Sequence, residues 1–578
     1  MKNNQTISKL LSRKLVSSLA LLLTGGLALF SLPAKAQVNS VYQLSDVEPT
    51  DWAFEALRSL IERYGCLEGY PNGTYRGERA LSRYEFAAGL NRCLTNLSEI
   101  IPNQQQSISE SDLELIKRLQ RDFDRELSLL ATRVDNLENR VSTLEETQFS
   151  TTTKLTGNVF MNLSGASASD DVTVETNNVD APLNIRPAAR DSGTNEPITR
   201  TISDDSGITF NYLTWLNLNT SFTGRDQLVT QLAVGNGVAP ANRFISAGLF
   251  NTFGTPFLEQ TAGVNANTVT VREFFYTFPV NEDLIAVVGP RVNWYRYFDG
   301  NSYTFIFNGA GSFNSSGSTL ANPIDRGAGA VLLWNINDEL GFNIGYLGEN
   351  NEFLPSQFGF NTVTDPDEGL FGGTWSATAQ LSYEPSPRFA VRLFYTRSQT
   401  DNNVPIRDEN GNITGMGVGG AVGEPIYGVA DDGFGGTVEP ADANTIGLNF
   451  EWQFDRQVAL FGRYTYGNSN IDPIDPNIES GDINMQAFQL GLSFPDLAKE
   501  GAIGTFSFVV PFDVLDGEEF LVSGAGDGGT QLDFEANYFY PINDNLALVP
   551  SVYLIVNPNN FEDNGDILVG NLRMQFSF

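Results

Sequence analysis

The sequence predicts a mainly β fold: a transmembrane antiparallel β-barrel of about 16 strands, preceded by a small α-helical domain and a coiled-coil helix. Three observations predict it. From Ser150 onward apolar residues recur at every second position, in stretches separated by Gly, Asn, Asp and Pro turns. Between Ser109 and Gln148 the chain is charged, nearly free of Gly and Pro, and apolar at heptad positions. After the first 36 residues, no stretch approaches the roughly 20 continuous apolar residues of a membrane helix, so any crossing is made by strands.

Residues 1–36 read as a secretory signal peptide. Lys2, Lys9, Arg13 and Lys14 give a basic start, LVSSLALLLTGGLALFSLP an apolar middle, and Ala34-Lys35-Ala36 a small-x-small cleavage site. The formal net charge is −34; the leader holds five basic residues and no acid, so its loss leaves −39. Such acidity excludes nucleic acid as a partner, because phosphate binding needs basic surface, and it suits a surface or pore that attracts cations. The sequence contains no histidine. That removes His-based metal sites and His-dependent triads together, and the expectation is a protein that is not an enzyme. Cys66 and Cys93 are the only thiols. In an exported protein a disulfide between them is favoured over two free thiols.

Residues 41–97 form the first domain. Asp51 caps a helix whose Trp52, Ala56, Leu60 and Ile61 share one side, Gly65 ends it, and Pro71-Asn72-Gly73 turns the chain. Ser82 with Glu85 makes a capping box for a second helix. Ser-Asp-Val, the Trp52-Ala53 pair, Gly-Tyr-Pro-Asn-Gly and Ser82-Arg83-Tyr84-Glu85 resemble the signature of an S-layer homology domain. The resemblance implies binding to peptidoglycan-linked cell-wall polysaccharide. Trp52 and Arg83 would contact glycan, and Asp46 and Glu85 would be structural. The residues alone equally allow Trp52 to be core and Arg83 to pair with a carboxylate.

Residues 109–148 place Leu113, Gln120, Leu127, Val134 and Val141 at heptad position a, with Ile116, Phe123, Leu130, Leu137 and Leu144 at d. Nine of ten seam positions are apolar, which predicts a coiled coil. Arg133 with Glu138, and Arg140 with Glu145, flank the seam in register. Their spacing resembles the motif of parallel three-stranded coils, whereas Val at a with Leu at d leans toward two strands. Three is the expectation: a homotrimer would gather three wall-binding domains and raise their avidity.

Residues 150–578 carry the barrel. Ile446, Leu448, Phe450, Trp452 and Phe454 alternate with Thr445, Gly447, Asn449, Glu451 and Gln453; Leu532 to Tyr540 alternates likewise, with Phe539 an exception. Phe210 to Phe222 alternates except at Leu213 and Trp215. A soluble sandwich would also alternate, but would not readily explain carboxylates recurring on the non-apolar face of long strands. Short turns at 224–226, 281–283, 337–339, 384–387, 455–456, 495–501 and 541–545 separate long connections near 165–206, 237–269, 299–327, 349–371, 398–441, 468–484, 512–528 and 557–566. Seven turns and eight loops require 16 strands, enough to leave a wet lumen. The expected partners are therefore membrane lipid outside and small hydrophilic solutes or ions inside, with the short turns and the N-terminal region in the periplasm.

The last stretch, NLRMQFSF (Asn571–Phe578), reads as the closing strand. Leu572, Met574, Phe576 and Phe578 would face lipid, and Asn571, Arg573, Gln575 and Ser577 water. Phe576 and Phe578 also resemble the terminal aromatic signal by which outer-membrane barrels are recognised for assembly. With TSFTGRDQLVTQLAVGN (220–236) and VREFFYTFPVNEDL (271–284), the layout resembles the cyanobacterial outer-membrane porins of the carbohydrate-selective family, sometimes called iron-uptake porins. The resemblance implies a passive channel. A structural reading stands beside it, in which the chain chiefly rivets outer membrane to wall.

The third long connection is the candidate constriction loop. Arg291, Arg296, Asp299, Asp325 and Arg326 surround it and would either set a field across the lumen or sit as rim charges. Alternation places Glu451, Asp533 and Glu535 on the lumen face. No cofactor is expected. Acidic stretches DPIDPNIESGD (472–482) and NFEDNGD (560–566) would serve Ca²⁺, but their spacing departs from a calcium loop and fits solvated surface better.

Overall fold

The computed structural model describes residues 40–50, 54–63, 65–67, 74–75, Gly89, Cys93, Thr95, and 153–578 except 182–185, 249–257, 322–323, 355, 357–358 and 420–425. The expected signal peptide, Trp52, Arg83 and the expected coil with Arg133, Glu138, Arg140 and Glu145 lie outside the described residues. The described residues fall into two compact units, those from 40 to 95 in one and those from 153 to 578 in the other.

In the first unit Phe54–Arg58 forms a helical turn that continues into a wider turn at Ser59–Arg63. Phe54, Leu57 and Ile61 recur at helical spacing and bury against Val41 and Leu44. Gly65 leaves this helix at φ 59°, a left-handed conformation that favours glycine. Asp46 accepts the Tyr75 amide at 2.6 Å, tying two segments of this small core. Cys66 and Cys93 are joined by a disulfide.

The second unit is a closed antiparallel barrel. Its strands are β1 Thr153–Ala168, β2 Thr209–Thr220, β3 Gln227–Gly235, β4 Thr270–Pro279, β5 Leu284–Asn293, β6 Arg326–Asn335, β7 Leu340–Glu349 and β8 Trp375–Ser386. Then come β9 Phe389–Thr400, β10 Ala441–Trp452, β11 Ala459–Ile471, β12 Gly481–Pro495, β13 Ile503–Asp516, β14 Leu532–Asn543, β15 Leu546–Val556 and β16 Ile567–Ser577. Each pairs with its neighbour in sequence, and β16 returns to β1 in register from Asn158↔Ser577 to Ala168↔Ile567. Closure leaves no sheet edge to template aggregation. We name the long connections L1 (169–208), L2 (236–269), L3 (294–325), L4 (350–374), L5 (401–440), L6 (472–480), L7 (517–531) and L8 (557–566).

Alternation separates the two faces as expected. Ile446, Leu448, Leu572 and Met574 are exposed on the outer face, where lipid satisfies them, while Thr445, Asn449, Asn571 and Gln575 are buried inside. The exceptions have a cause. Leu213 and Trp215 point inward and pack with Phe160 against L3, and inward Phe539 packs with Ala547 and Val549. Inward Phe394 covers Gly447, whose Cβ position lies 2.0 Å from the ring tip, so the glycine makes room for an aromatic from the next strand.

Candidate functional site

L3 runs inside the barrel. Its root is fixed by Trp294, which donates to Thr378 at 2.9 Å and packs with Phe275, Val287, Val331 and Phe394 of the wall. Farther along, the Asp299 carboxylate takes bonds from Asn449 (2.6 Å), the Ser318 amide (2.6 Å) and Arg463 (2.9 Å). The Ser302 amide donates to Glu451 at 2.5 Å. Near the tip Glu535 receives the Gly311 amide and the Ser312 hydroxyl, each at 2.6 Å, and Asn314 donates to Asp533. Arg573 donates to the carbonyls of Ile306 and Phe307, and the Phe307 ring lies 5.4 Å from Phe160 and 5.8 Å from Trp215. The loop is thus held by strands from β8 through β14, by β16, and by β1 and β2.

A second ionic group fixes where L3 begins and ends. A bulge opposite Gln231 and Leu232 turns both Arg272 and Glu273 of β4 inward. Glu273 pairs with Arg296 (2.6 Å) and Arg272 (3.0 Å); Glu352 pairs with Arg326 (2.5 Å) and Arg272 (3.7 Å); Asp325 pairs with Arg326 (3.2 Å). Three arginines and three acids therefore join the wall, both roots of L3 and L4. Arg291 stands apart, bonding Asn350 and the Val271 carbonyl beside a wall bulge.

Most charges expected at the constriction consequently lie behind the loop, not on its open side. The side chains of Asp299 and Arg463 are 0% and 4% exposed. Glu535 and Arg573 face inward, as alternation places them, but L3 covers them and they meet its backbone instead of water. The reason is energetic: a buried loop carries amides and carbonyls that must be satisfied, and inward acids and arginines do so. The half-exposed residues of L3 are largely neutral: Tyr295, Asn301, Ser302, Tyr303, Phe305, Ile306, Phe307, Asn308 and Ser316, with Arg296 the charged member. Arg272, Glu273, Glu352 and Arg463 were missed from sequence, although Arg463 sits in alternation with Phe461 and Thr465.

Beyond L3, other loops fold together over the mouth. Val172, Val174, Phe244, Ile245, Val418, Ile426, Tyr427, Phe520 and Leu521 share one apolar core, and segments of L5 and L7 form a four-stranded sheet. Arg190 of L1 forms a buried 2.9 Å pair with Asp431 of L5 and donates to the Glu519 carbonyl of L7. Glu175 of L1 accepts the Gly524 and Gly526 amides of L7. Burial lifts its carboxyl to about 7. Glu259 of L2 accepts from Ser164, Thr209 and Asn211, and burial raises it likewise to about 7. Among the described residues, no group of three or more acids or cysteines is arranged to hold a metal ion.

A closed barrel with an apolar exterior, a polar interior and a long loop folded inside defines an outer-membrane porin, a channel and not an enzyme. Residues 110–578 match the model of the carbohydrate-selective porin OprB family, and residues 43–87 match the S-layer homology domain. The chain belongs to the OprB family. It is similar to an uncharacterized protein of Nostoc sp. (31% identity, covering 94% of this chain and 86% of that one). A shorter stretch is similar to the outer membrane protein SlpA of Thermus thermophilus (34% identity, 18% of this chain and 12% of that one). Among solved structures, OprB of Pseudomonas putida aligns with TM-score 0.48 and 14% identity over 77% of this chain and 97% of that one. The protein is placed in the outer membrane with its S-layer homology domain in the periplasm.

Proposed function

We propose that this porin passes small hydrophilic solutes and ions by passive diffusion, with L3 as the constriction. The permeant classes are sugars, inorganic ions and iron species. The observation that carries this is the placement of L3: a loop bonded to inward side chains on nearly every side narrows a 16-stranded lumen without needing a plug domain. Discrimination at the loop then rests mainly on width, since its half-exposed residues are largely neutral. A cation bias comes from the long-loop end, where L1–L8 hold 31 acidic against six basic residues. Single-channel recording in planar bilayers with a panel of salts and sugars tests this. Cation preference is expected, and clear anion preference overturns it.

A second reading rests on the S-layer homology domain. The domain tethers the barrel to wall polysaccharide through Trp52 and Arg83, and the coil over 109–148 joins three chains. Removing residues 37–148 separates the roles: tethering predicts envelope detachment with unchanged conductance, and the pore predicts lost permeability only when the barrel is removed.

A further inference from the structure

L4 behaves unlike its neighbours. Its described residues take no part in the apolar core over the mouth, and its second half lies on the outside of the wall. On β7, Asn343 and Leu347 point inward, so Tyr346 and Gly348 point outward. A Cβ at Gly348 would sit 2.5 Å from Val363 and 2.9 Å from the Leu370 carbonyl, both in L4. The Tyr346 hydroxyl donates to that same carbonyl at 2.9 Å. The Tyr346 ring packs 5.3 Å from Phe371 and 5.6 Å from Trp375, the outward residue that opens β8. A glycine notch and two wall aromatics thus seat the short helix Gly369–Gly372 on the outer face. From this seat Leu370 and Phe371 project outward, 40% and 71% exposed.

The position identifies what covers them. Down the same wall the outward residues are Ile344, Leu381, Tyr383, Leu332 and Trp334, all exposed and all part of the lipid-facing band. At about 3.3 Å per residue and a tilt of about 40°, the run from Trp375 to Tyr383 rises about 20 Å, close to the height of such a band. Tyr383 and Trp334 mark its short-turn edge, and Trp375, Tyr346 and Phe371 its long-loop edge. Leu370 and Phe371 therefore continue an apolar surface already committed to lipid, at the depth where aromatic side chains prefer to sit.

We propose that the Gly369–Gly372 turn of L4 is a membrane foot, with Leu370 and Phe371 inserted among the acyl chains at the headgroup boundary of the leaflet beside the long loops. The proposal rests on the porin reading only in taking the barrel to be lipid-embedded, and its test does not depend on conductance. Because Cys66 and Cys93 are bonded to each other and are the only cysteines in the sequence, a cysteine introduced by Phe371→Cys is the sole free thiol for a nitroxide label. Full-length protein is reconstituted in phosphatidylcholine vesicles, and the label's collision rates with oxygen and with a water-soluble nickel chelate are compared. An otherwise identical sample labelled through Asp563→Cys, at an exposed position of L8, provides the aqueous reference. The oxygen-to-nickel ratio at 371 is expected to exceed that at 563 severalfold, and a Gly348→Val background, which unseats the foot, is expected to bring it down to the reference. Equal ratios at 371 and 563 would overturn the proposal. So would label–label broadening at 371 that vanishes on dilution with unlabelled protein, because the foot would then pack against a second copy.

Discussion

L3 and L4 leave neighbouring strand pairs of one wall and go opposite ways. L3 turns into the lumen, where Asp299, Arg463, Glu535 and Arg573 satisfy its buried backbone and Glu273 and Arg326 hold its roots. L4 shares Glu352 with that ionic group, then folds over the rim onto Gly348 and Tyr346. Both loops are rich in glycine, asparagine and aromatics. Composition therefore does not set the destination. What sets it is the wall the loop meets: charged side chains facing inward against one, a glycine notch between aromatics facing outward against the other.

Breaking the inward anchor should have the largest effect. Asp299→Asn leaves Arg463 buried beside an uncharged amide, a change of the kind that costs about 3–5 kcal/mol. L3 is expected to leave the wall, raising single-channel conductance severalfold with added noise; unaltered conductance would show that L3 is not held there. Glu273→Gln removes the shared partner of Arg296 and Arg272 but leaves the inner bonds of L3 intact. A smaller conductance rise, with flicker from a loosened root, is expected in the same recording.

The cap over the mouth should respond to pH. Glu175 ordinarily titrates near 4.5, and burial moves it to about 7. The assembled cap therefore holds a proton that the released loop gives up. The contribution of Glu175 to the cap's stability is greatest below pH 4.5, declines as pH rises from 4.5 to 7, and levels off above. Limited proteolysis in L7 should be slower at pH 5 than at pH 8, and Glu175→Gln should flatten most of that difference. The smallest effect sharpens the contrast from the other side: Gly348→Val displaces L4 yet should leave conductance unchanged, because nothing that L4 loses lies against the half-exposed face of L3.

The barrel was legible because its period is a matter of geometry. A side chain that alternates between lipid and interior writes its face into the sequence, and turns between strands need glycine, asparagine, aspartate or proline. Strand number and both classes of connection followed. Leu213, Trp215 and Phe539 broke the pattern where an inward aromatic or aliphatic has something other than water to cover it. The ion pairs were not legible, because Arg272 and Glu273 are adjacent in sequence and only a bulge turns both to one side. The outward seat of L4 was equally hidden, since Gly348 reads as an ordinary strand-end residue until Val363 is seen against it.

The interlocked cap restricts how the exposed surface can drift. Asn559 and Asn560 of L8 bond Phe244 of L2 and Gly524 of L7, while Glu175 and Arg190 bind L1 to L7 and L5. A phage or antibody pressing on one of these loops meets a surface that cannot escape by altering that loop alone. Escape should concentrate in a tip outside the interlock, such as Asp475–Glu479 of L6, whose side-chain bonds stay within its own loop, and lengthening one interlocked loop should require compensating change in another.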